Sequence, residues 1–335
     1  MATSFGRATL ATVAASAGVS VATVSKVLNG RSDVAPATRS MVQALLLEHG
    51  YVPRSPHRRQ TALTTVELQV DGELCAYSSA IVQGAVEAAA GVGAAVVVSI
   101  AQGVVGSHPS WAADLLAAGR HALISVTNEP AQLAALSRAR LPVVVIDPLN
   151  MPSDSVISVG ATNFAGGMSA TQHLLGLGHR RIAYIGGPAT ATSNQARMHG
   201  YRAAMDAAGV PVPPQYVRTP GYCHPDGLEA GAALLDLRPA PTAIFAASDE
   251  CALGAIQAAK ARGLYVPDDL SIVGFDDTQI ATMTSPQLTT VRQPLRQMGG
   301  VALRTALRLA AGERIEFRHL ELATELVVRG SSLAA

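Results

Sequence analysis

The chain has 335 residues, of which 49% are hydrophobic, with three cysteines and a formal net charge of +1. That is longer than one typical domain and apolar enough for sizeable cores, yet no run of about 18 apolar residues marks a membrane span. Cys75, Cys223 and Cys251 are odd in number, widely spaced and outside any CxxC, which argues for a reducing compartment and against a structural metal site.

The small net charge hides an asymmetry. Residues 1–60 hold seven Lys/Arg against two acidic residues, a net of +5, whereas the remainder holds 18 basic and 22 acidic residues, a net of −4. A basic head on a slightly acidic body fits a polyanion-binding head joined to something else.

Leu10, Val13, Ala14 and Ala17 recur at i, i+3, i+4 and i+7, one stripe of a helix. Gly18 ends that helix with left-handed backbone, and Ser20 reads as the N-cap of a second. Val24, Val27 and Leu28 turn one face of the second helix inward, leaving Val21, Ala22, Thr23, Ser25 and Lys26 outside before Asn29-Gly30 closes it. Two helices with a glycine turn and a polar, basic outer face form a helix-turn-helix, whose small residues, hydroxyls and cation suit the major groove of DNA. An ordinary helical hairpin with a solvated face is the plain alternative. A secretory leader is a second one, but Thr, Ser and Gly interrupt every candidate apolar run between Ala8 and Val24.

Pro36 suits a first helical turn, and residues 38–49 carry Met41, Val42, Leu45 and Leu46 as the buried stripe of a third helix, stopped by Gly50. Residues 55–61 form a polar, basic connector, either a plain linker or a segment that orders against phosphates. From Leu63 onward strands alternate with helices. Strands are expected at 66–70, 94–100, 121–126 and 143–146, with helices at 80–90, 111–118 and 132–138. After a break the rhythm resumes with strands at 156–159, 181–185, 216–218, 243–246 and 271–273 and helices at 164–177, 195–208, 228–235 and 252–262. Short returns at 288–291 and 320–328 complete two similar α/β subdomains, each a doubly wound parallel sheet. Ligands of such sheets bind beyond the carboxyl ends of the strands, here where the two halves face each other.

The chain resembles the LacI/GalR family of bacterial transcription repressors over essentially its whole length. The resemblance rests on Val13-Ala14 and the run Ala17-Gly18-Val19-Ser20-Val21-Ala22-Thr23-Val24-Ser25-Lys26-Val27-Leu28-Asn29-Gly30. It continues through Gly178-His179-Arg180-Arg181-Ile182-Ala183-Tyr184-Ile185-Gly186-Gly187-Pro188, Arg197 with Gly200-Tyr201, and Pro241-Thr242-Ala243-Ile244-Phe245-Ala246. Val266-Pro267, Val273-Gly274-Phe275-Asp276-Asp277 and Ser285-Pro286-Gln287-Leu288-Thr289-Thr290-Val291-Arg292-Gln293-Pro294 complete it in the family's order.

The resemblance implies a periplasmic-binding-protein-like body, a homodimer on a near-palindromic double-stranded operator, and a small-molecule effector in the cleft. It divides the chain into a helix-turn-helix domain (1–53), a hinge (54–62) and an effector-binding and dimerisation domain (63–335). Within the last, an N-subdomain is expected at about 63–160 and 292–316 and a C-subdomain at about 161–291 and 317–330. Val21, Ala22 and Lys26 fall where the family reads base edges, and Thr9, Thr23, Ser25 and Asn29 at phosphate-contact positions, with Ser20 at the start of the reading helix. The hinge departs from the pattern: Arg54 replaces the usual Asn, Pro56 sits early, and Gln60 holds the position of the wedging leucine. Whether it forms a minor-groove helix stays open; Arg54, Arg58 and Arg59 can still bind phosphates, so an electrostatic, salt-sensitive hinge is expected.

The effector positions implied are Tyr77, Ser78, Ser193, Arg197, Tyr222, Ser248 and Asp276. This is a sugar-like set: two tyrosines offer flat faces to a pyranose ring, while Arg197 and Asp276 can fork hydrogen bonds to vicinal hydroxyls. Asp147 and Asp249 also end strands, as site residues or as caps of the following helices. A mono- or oligosaccharide is expected, and the overall similarity points to xylose and xylo- or cello-oligosaccharides. Neither an HExxH, a Walker or dinucleotide glycine motif, a nucleophile elbow nor a pair of cleft carboxylates suited to glycoside hydrolysis is found, so no enzyme, metal or cofactor is expected. A periplasmic sugar-binding protein would share the body but carry a leader and no basic head. The expected location is the cytoplasm, and with only residues 329–335 after the last strand, a dimer is expected over a coiled-coil-linked tetramer.

Overall fold

The computed structural model describes residues 9–28, 31, 33–49, 63–101, 110–127, 133–148 and 156–335, in two compact units, 1–62 and 63–335. Asn29, Arg54, Pro56, Arg58, Arg59 and Gln60, named above for the reading helix and hinge, lie outside the described residues.

The first unit holds α1 (Leu10–Ala17), α2 (Val21–Leu28) and α3 (Pro36–Glu48). Its core is Val13, Ala14 and Ala17 of α1, Val24 and Val27 of α2, Val34, and Val42 and Leu46 of α3. Thr9 caps α1 by accepting the Thr12 N–H, and Gly18 ends it at φ +62°, sending its own N–H back to Ala14 and Ala15. A side chain in that conformation would be strained, which is why glycine sits in the turn. Ser20 Oγ accepts the Thr23 N–H at 3.1 Å, the expected N-cap of α2. One expectation fails: Met41 points outward, 43% exposed, because the stripe of α3 runs through Val42, Leu45 and Leu46 and a fourth neighbour falls beyond its edge.

The second unit contains two six-stranded sheets. The first is built from β1 (Thr65–Asp71), β2 (Ala95–Ala101), β3 (Arg120–Val126), β4 (Val143–Ile146), β5 (Ile157–Ala161) and β11 (His319–Leu322). Its order is β11-β5-β4-β3-β1-β2, parallel throughout, with α4 (Ala76–Val92), α5 (Trp111–Ala117), α6 (Leu133–Arg138) and α12 (Leu295–Ala310) packed on it. The second sheet takes β6 (Ile182–Ile185), β7 (Val217–Arg218), β8 (Ala243–Ala246), β9 (Ser271–Asp276), β10 (Thr289–Arg292) and β12 (Glu325–Val327). Its order is β12-β10-β9-β8-β6-β7, parallel except for β12, and its helices are α7 (Asn163–Gly176), α8 (Thr192–Ala207), α9 (His224–Leu235), α10 (Asp249–Lys260) and α11 (Gln279–Met283). Strands β6, β8 and β9 are buried along their whole length, as parallel strands covered on both faces must be.

The chain passes between the sheets three times: from β5 to α7, from β10 to α12 and from β11 to β12. The last passage corrects an expectation. The run 320–328 reads as one strand of the C-subdomain, which is expected to resume at about 317. In the structure β11 pairs with β5 of the first sheet, and only β12 reaches the second. The break falls at Thr324, whose N–H donates to Thr162 Oγ1 at 2.9 Å while the two hydroxyls meet at 3.0 Å. Thr162 lies in the first passage, so two of the three crossing segments are tied to each other at mid-span.

Candidate functional site

Between the two sheets the carboxyl ends of the strands and the amino ends of several helices enclose a cavity of about 410 Å³. Its walls come from residues at or just after the ends of β1, β3, β4 and β9 and from the amino-terminal parts of α4, α8, α9 and α10. This is the crevice that open α/β sheets offer to ligands. Backbone strain gathers here. Thr127, Asp147, Asp276 and Asp277, at the ends of β3, β4 and β9, have φ of +73°, +48°, +116° and +53°. Non-glycine residues hold such angles only where the surroundings over-determine them, and such residues cluster at ligand sites.

Arg197, on α8, is the centre of the arrangement and is 3% exposed. Its Nε donates to Asn163 Oδ1 at 2.8 Å, its Nη1 to the Ala247 carbonyl at 2.6 Å, and its Nη2 lies 3.7 Å from Asp147 Oδ2. The guanidinium stacks 3.9 Å over the Phe275 ring and 5.6 Å from that of Tyr222. Asp147 in turn accepts the Tyr77 hydroxyl at 3.1 Å and the Asn163 amide at 3.3 Å. Of the two roles open to Asp147 in the sequence, the wall of the cavity is the one it takes.

Tyr222 OH and Ser193 Oγ lie 2.9 Å apart, and Ser248 Oγ donates to the Tyr222 carbonyl at 2.7 Å while capping α10 through the Cys251 N–H. Asp276 accepts Gln293 Nε2 at 2.6 Å. Gln293 sits in the second passage between the sheets, and its Oε1 is the one buried side-chain polar atom without a partner among the described residues. The cavity wall is thereby joined to a crossing segment. Burial pushes the Asp276 carboxyl well above the usual carboxylate range, Arg197 notwithstanding, with the neighbouring Asp249 adding to the rise.

The structure thus brings Tyr77, Ser193, Arg197, Tyr222, Ser248 and Asp276 to one cavity. Ser78 is the exception. It is buried one turn into α4, where its Oγ accepts the Cys75 N–H at 3.0 Å and donates to the Cys75 carbonyl, closing a capping box instead of facing the cleft. Sequence reasoning missed Asp71, Cys75, Cys223, Asp226, Glu250 and Thr278 on the same walls. The signal was present in Asp226 and Glu250, carboxylates in the first turns of helices that follow strands, but it was indistinguishable from ordinary capping.

Asp249, 1% exposed, holds the Thr278 N–H at 2.7 Å and the Thr278 and Thr290 hydroxyls at 3.0 and 2.6 Å. Burial pushes its carboxyl up to about 7, against the pull of those hydrogen bonds. A carboxyl raised on folding holds a proton that the unfolded chain has lost, so stability falls as the pH rises from about 4 to 7. The protein therefore melts at a higher temperature at pH 5.5 than at pH 8, and thermal denaturation of Asp249→Asn shows a narrower gap.

In the first unit, Val21, Ala22 and Lys26 lie exposed on α2, with Thr23 and Ser25 half-buried beside them. Lys26 Nζ is paired with Asp33 Oδ2 at 2.7 Å, both half exposed. Among the described residues no group of His, Cys, Asp or Glu is placed to hold a metal ion, and no single helix is long and apolar enough to cross a membrane.

Residues 9–54 match the model of bacterial regulatory proteins of the lacI family, and residues 171–332 match the periplasmic binding protein-like domain. The HTH-type transcriptional regulator CelR of Thermobifida fusca is 36% identical over 97% of this chain and 98% of its own. DegA of Bacillus subtilis, also an HTH-type transcriptional regulator, is 34% identical over the same shares. A solved complex of the transcriptional regulator CelR with cellobiose superposes with a TM-score of 0.72 at 35% identity, covering 97% of this chain and 100% of that one. A lac repressor dimer bound to operator and the anti-inducer ONPF gives 0.74 at 29% identity, covering 98% and 100%. The helix-turn-helix at the head, the two-sheet body with its cleft and these full-length likenesses agree: the chain belongs to the lacI family of bacterial regulatory proteins and is a DNA-binding transcription regulator.

Proposed function

We propose that the protein is a cytoplasmic repressor of carbohydrate-use genes that binds a near-palindromic operator as a homodimer and answers to a mono- or oligosaccharide in the cleft of its body. The observation that carries this reading is the Arg197 cluster. Tyr77 and Tyr222 flank a buried guanidinium and two carboxylates, Asp147 and Asp276, in a cavity of about 410 Å³, room for more than one pyranose ring. Sugars are held by such sets of planar hydrogen-bonding groups beside aromatic faces. The relative complexed with cellobiose supports cello-oligosaccharides as the first effectors to try. Asp147 and Asp276 are engaged by Arg197, Asn163 and Gln293, an arrangement that suits the binding of sugar hydroxyls more than glycoside cleavage. A periplasmic carrier has no support, given the family's DNA-binding head at residues 9–54.

On DNA, Val21, Ala22 and Lys26 would read base edges and Thr9, Ser20, Thr23 and Ser25 would meet phosphates, with Asn29 and the hinge residues Arg54, Arg58 and Arg59 adding to the backbone contacts. The test is fluorescence anisotropy of the purified protein on DNA upstream of its own gene, with and without cellobiose, xylose and a disaccharide panel. Binding that survives nonspecific competitor and shifts with one sugar supports the reading; sequence-independent binding under every sugar refutes it. The Lys26–Asp33 pair adds a specific expectation. Asp33→Asn removes an anion from the DNA-facing surface and frees Lys26 to reach a base edge, so affinity for the operator rises a few-fold, more at low salt than at high. An unchanged operator affinity at low salt would show that the Lys26–Asp33 pair does not face the DNA.

A further inference from the structure

Asp276 and Asp277 follow one another at φ of +116° and +53°, the first beyond even the left-handed helical region. Backbone of this kind persists only where its neighbours leave it no alternative. Part of the hold comes from groups at the cavity wall. Gln293 donates its side-chain amide to Asp276 Oδ1 and its backbone N–H to the Asp276 carbonyl at 3.2 Å, and the Thr278 N–H goes to Asp249.

The rest comes through Asp277, which is not among the residues lining the cavity. Its side chain is 7% exposed and both carboxylate oxygens are taken, Oδ2 by Arg292 Nε at 2.7 Å and Oδ1 by Arg329 Nη2 at 2.6 Å. The two arginines are unequal. Arg292, at the carboxyl end of β10, is half-exposed, and its Nη1 also lies 3.5 Å from Glu325. Arg329 is mostly buried, donates from Nη1 to the Leu288 carbonyl at 2.8 Å and gives its backbone N–H to Thr289 Oγ1 at 2.9 Å. The segment after it is fastened in turn, with the Gly330 N–H on the Gln287 carbonyl, Ser331 Oγ on the Ile272 carbonyl and the Leu333 N–H on Ser271 Oγ. Arg329 therefore reaches Asp277 from a backbone already fixed, and its guanidinium bridges the strained turn to the start of β10 by charge-assisted bonds.

We propose that Arg329, acting through Asp277, is a positioning residue of the effector site: it holds the strained turn in the geometry that presents the Asp276 carboxyl to the ligand, without touching the ligand itself. The inference rests on the reading of the cleft as the effector site. With Arg329 gone, Asp277 keeps only the half-exposed Arg292, and the turn is free to relax toward ordinary φ. The effector must then order the turn as it binds, and the cost of that ordering is taken from its affinity.

The test compares the full-length protein with Arg329→Gln, Arg329→Lys and a control, Ser271→Ala, which loosens the same segment at the opposite end of β9. In the first arm, without any sugar, hydrogen–deuterium exchange at the Thr278 and Gln293 amides is expected to speed on the order of tenfold in Arg329→Gln, while amides of β6 and β8 keep their rates. In the second arm, calorimetric titration with cellobiose shows the dissociation constant rising on the order of tenfold in Arg329→Gln and by about threefold in Arg329→Lys, which restores the cation without the planar fork. Ser271→Ala lowers the melting temperature and leaves both the exchange at the turn and the affinity as they were. Asp277→Asn, which keeps the shape and gives up the charge, takes the place of Arg329→Gln should that variant not fold, with the same expected changes. Unchanged exchange at the turn, or faster exchange with undiminished affinity, overturns the proposal. So does a control that reproduces both changes, since the segment would then merely stabilise the fold. Should cellobiose bind none of the proteins, the cello-oligosaccharide reading fails and the exchange arm decides the role of Arg329 by itself.

Discussion

Replacing Arg197 by leucine leaves a protein that binds its operator and no longer answers to any effector. The reasoning starts from the burial of the guanidinium, which is 3% exposed and bonded to a side chain from α7, a carbonyl after β8 and a carboxylate after β4. These come from both sheets, so the side chain joins the walls that an effector must bring into register. Leucine fills part of the volume but leaves Asn163 Oδ1 without its donor and Asp147 without its cation. Removing one partner of a buried pair costs about 3–5 kcal/mol, reduced where the carboxylate takes up a proton. The helix-turn-helix is a separate compact unit, with its own core of eight buried side chains, and is untouched by this loss. Arg197→Lys separates charge from geometry. Lysine keeps a cation beside Asp147 but cannot serve three acceptors in a plane, so it recovers part of the melting temperature and little of the effector affinity. Operator anisotropy with and without effector, together with thermal melts of the three proteins, checks this. A leucine variant that still responds at ordinary sugar concentrations would move the site away from Arg197.

The alternation of strand and helix was legible because buried parallel strands are short apolar runs with helices between them. β4 and β8 fall on the expected residues. The ends that build the site were not. α8, α9 and α10 were expected from 195, 228 and 252 but begin at Thr192, His224 and Asp249, and β9 continues to Asp276 three residues beyond its expected end. At the helix starts the extra residues are mostly polar, proline or glycine, so hydrophobic periodicity starts only after them, while β9 runs on through Gly274 and the buried Phe275 to Asp276. The same cause hid Asp226 and Glu250, while Ser78 lies off the cavity lining, its hydroxyl three residues into a helix bonding its own backbone. The split of the 320–328 run between two sheets was beyond reach of local pattern, since it depends on Thr162, 162 residues away in the chain. That contact matters for function. Two crossing segments meet at Thr162 and Thr324, and the other carries Gln293, whose amide holds Asp276. Asp276 in the cavity is thus hydrogen-bonded directly to the segment between β10 and α12 that joins the subdomains.

The placement of Arg197 depends on a glycine that touches no ligand. α7 and α8 pack so closely that a Cβ at Gly167 would collide with the carbonyl of Arg197 itself, and one at Gly200 with the carbonyl of Phe164. Backbone cannot step aside as the end of a flexible side chain can, so the two helices must part. Gly167→Ala is therefore expected to move the α8 backbone at Arg197 away from Asn163 of α7, lengthening the 2.8 Å bond between them. Effector affinity then falls on the order of tenfold, as overpacking strain of about 1–3 kcal/mol is shared between stability and site geometry. Gly167→Val adds two methyl groups at the same contact and is expected to prevent the second sheet and its helices from folding cooperatively. Gly176, near the carboxyl end of the same α7, provides the control: a Cβ there meets nothing, and its φ is not positive. Gly176→Ala should raise stability by about 0.5–1 kcal/mol, the ordinary gain in helix propensity, without changing the response to effector. Calorimetric melts and effector titrations of the three variants separate the cases. If Gly167→Ala behaved like Gly176→Ala, the close approach of α7 and α8 would play no part in presenting Arg197, and the rigidity of the site would have to come from Phe275 and Asp147 alone.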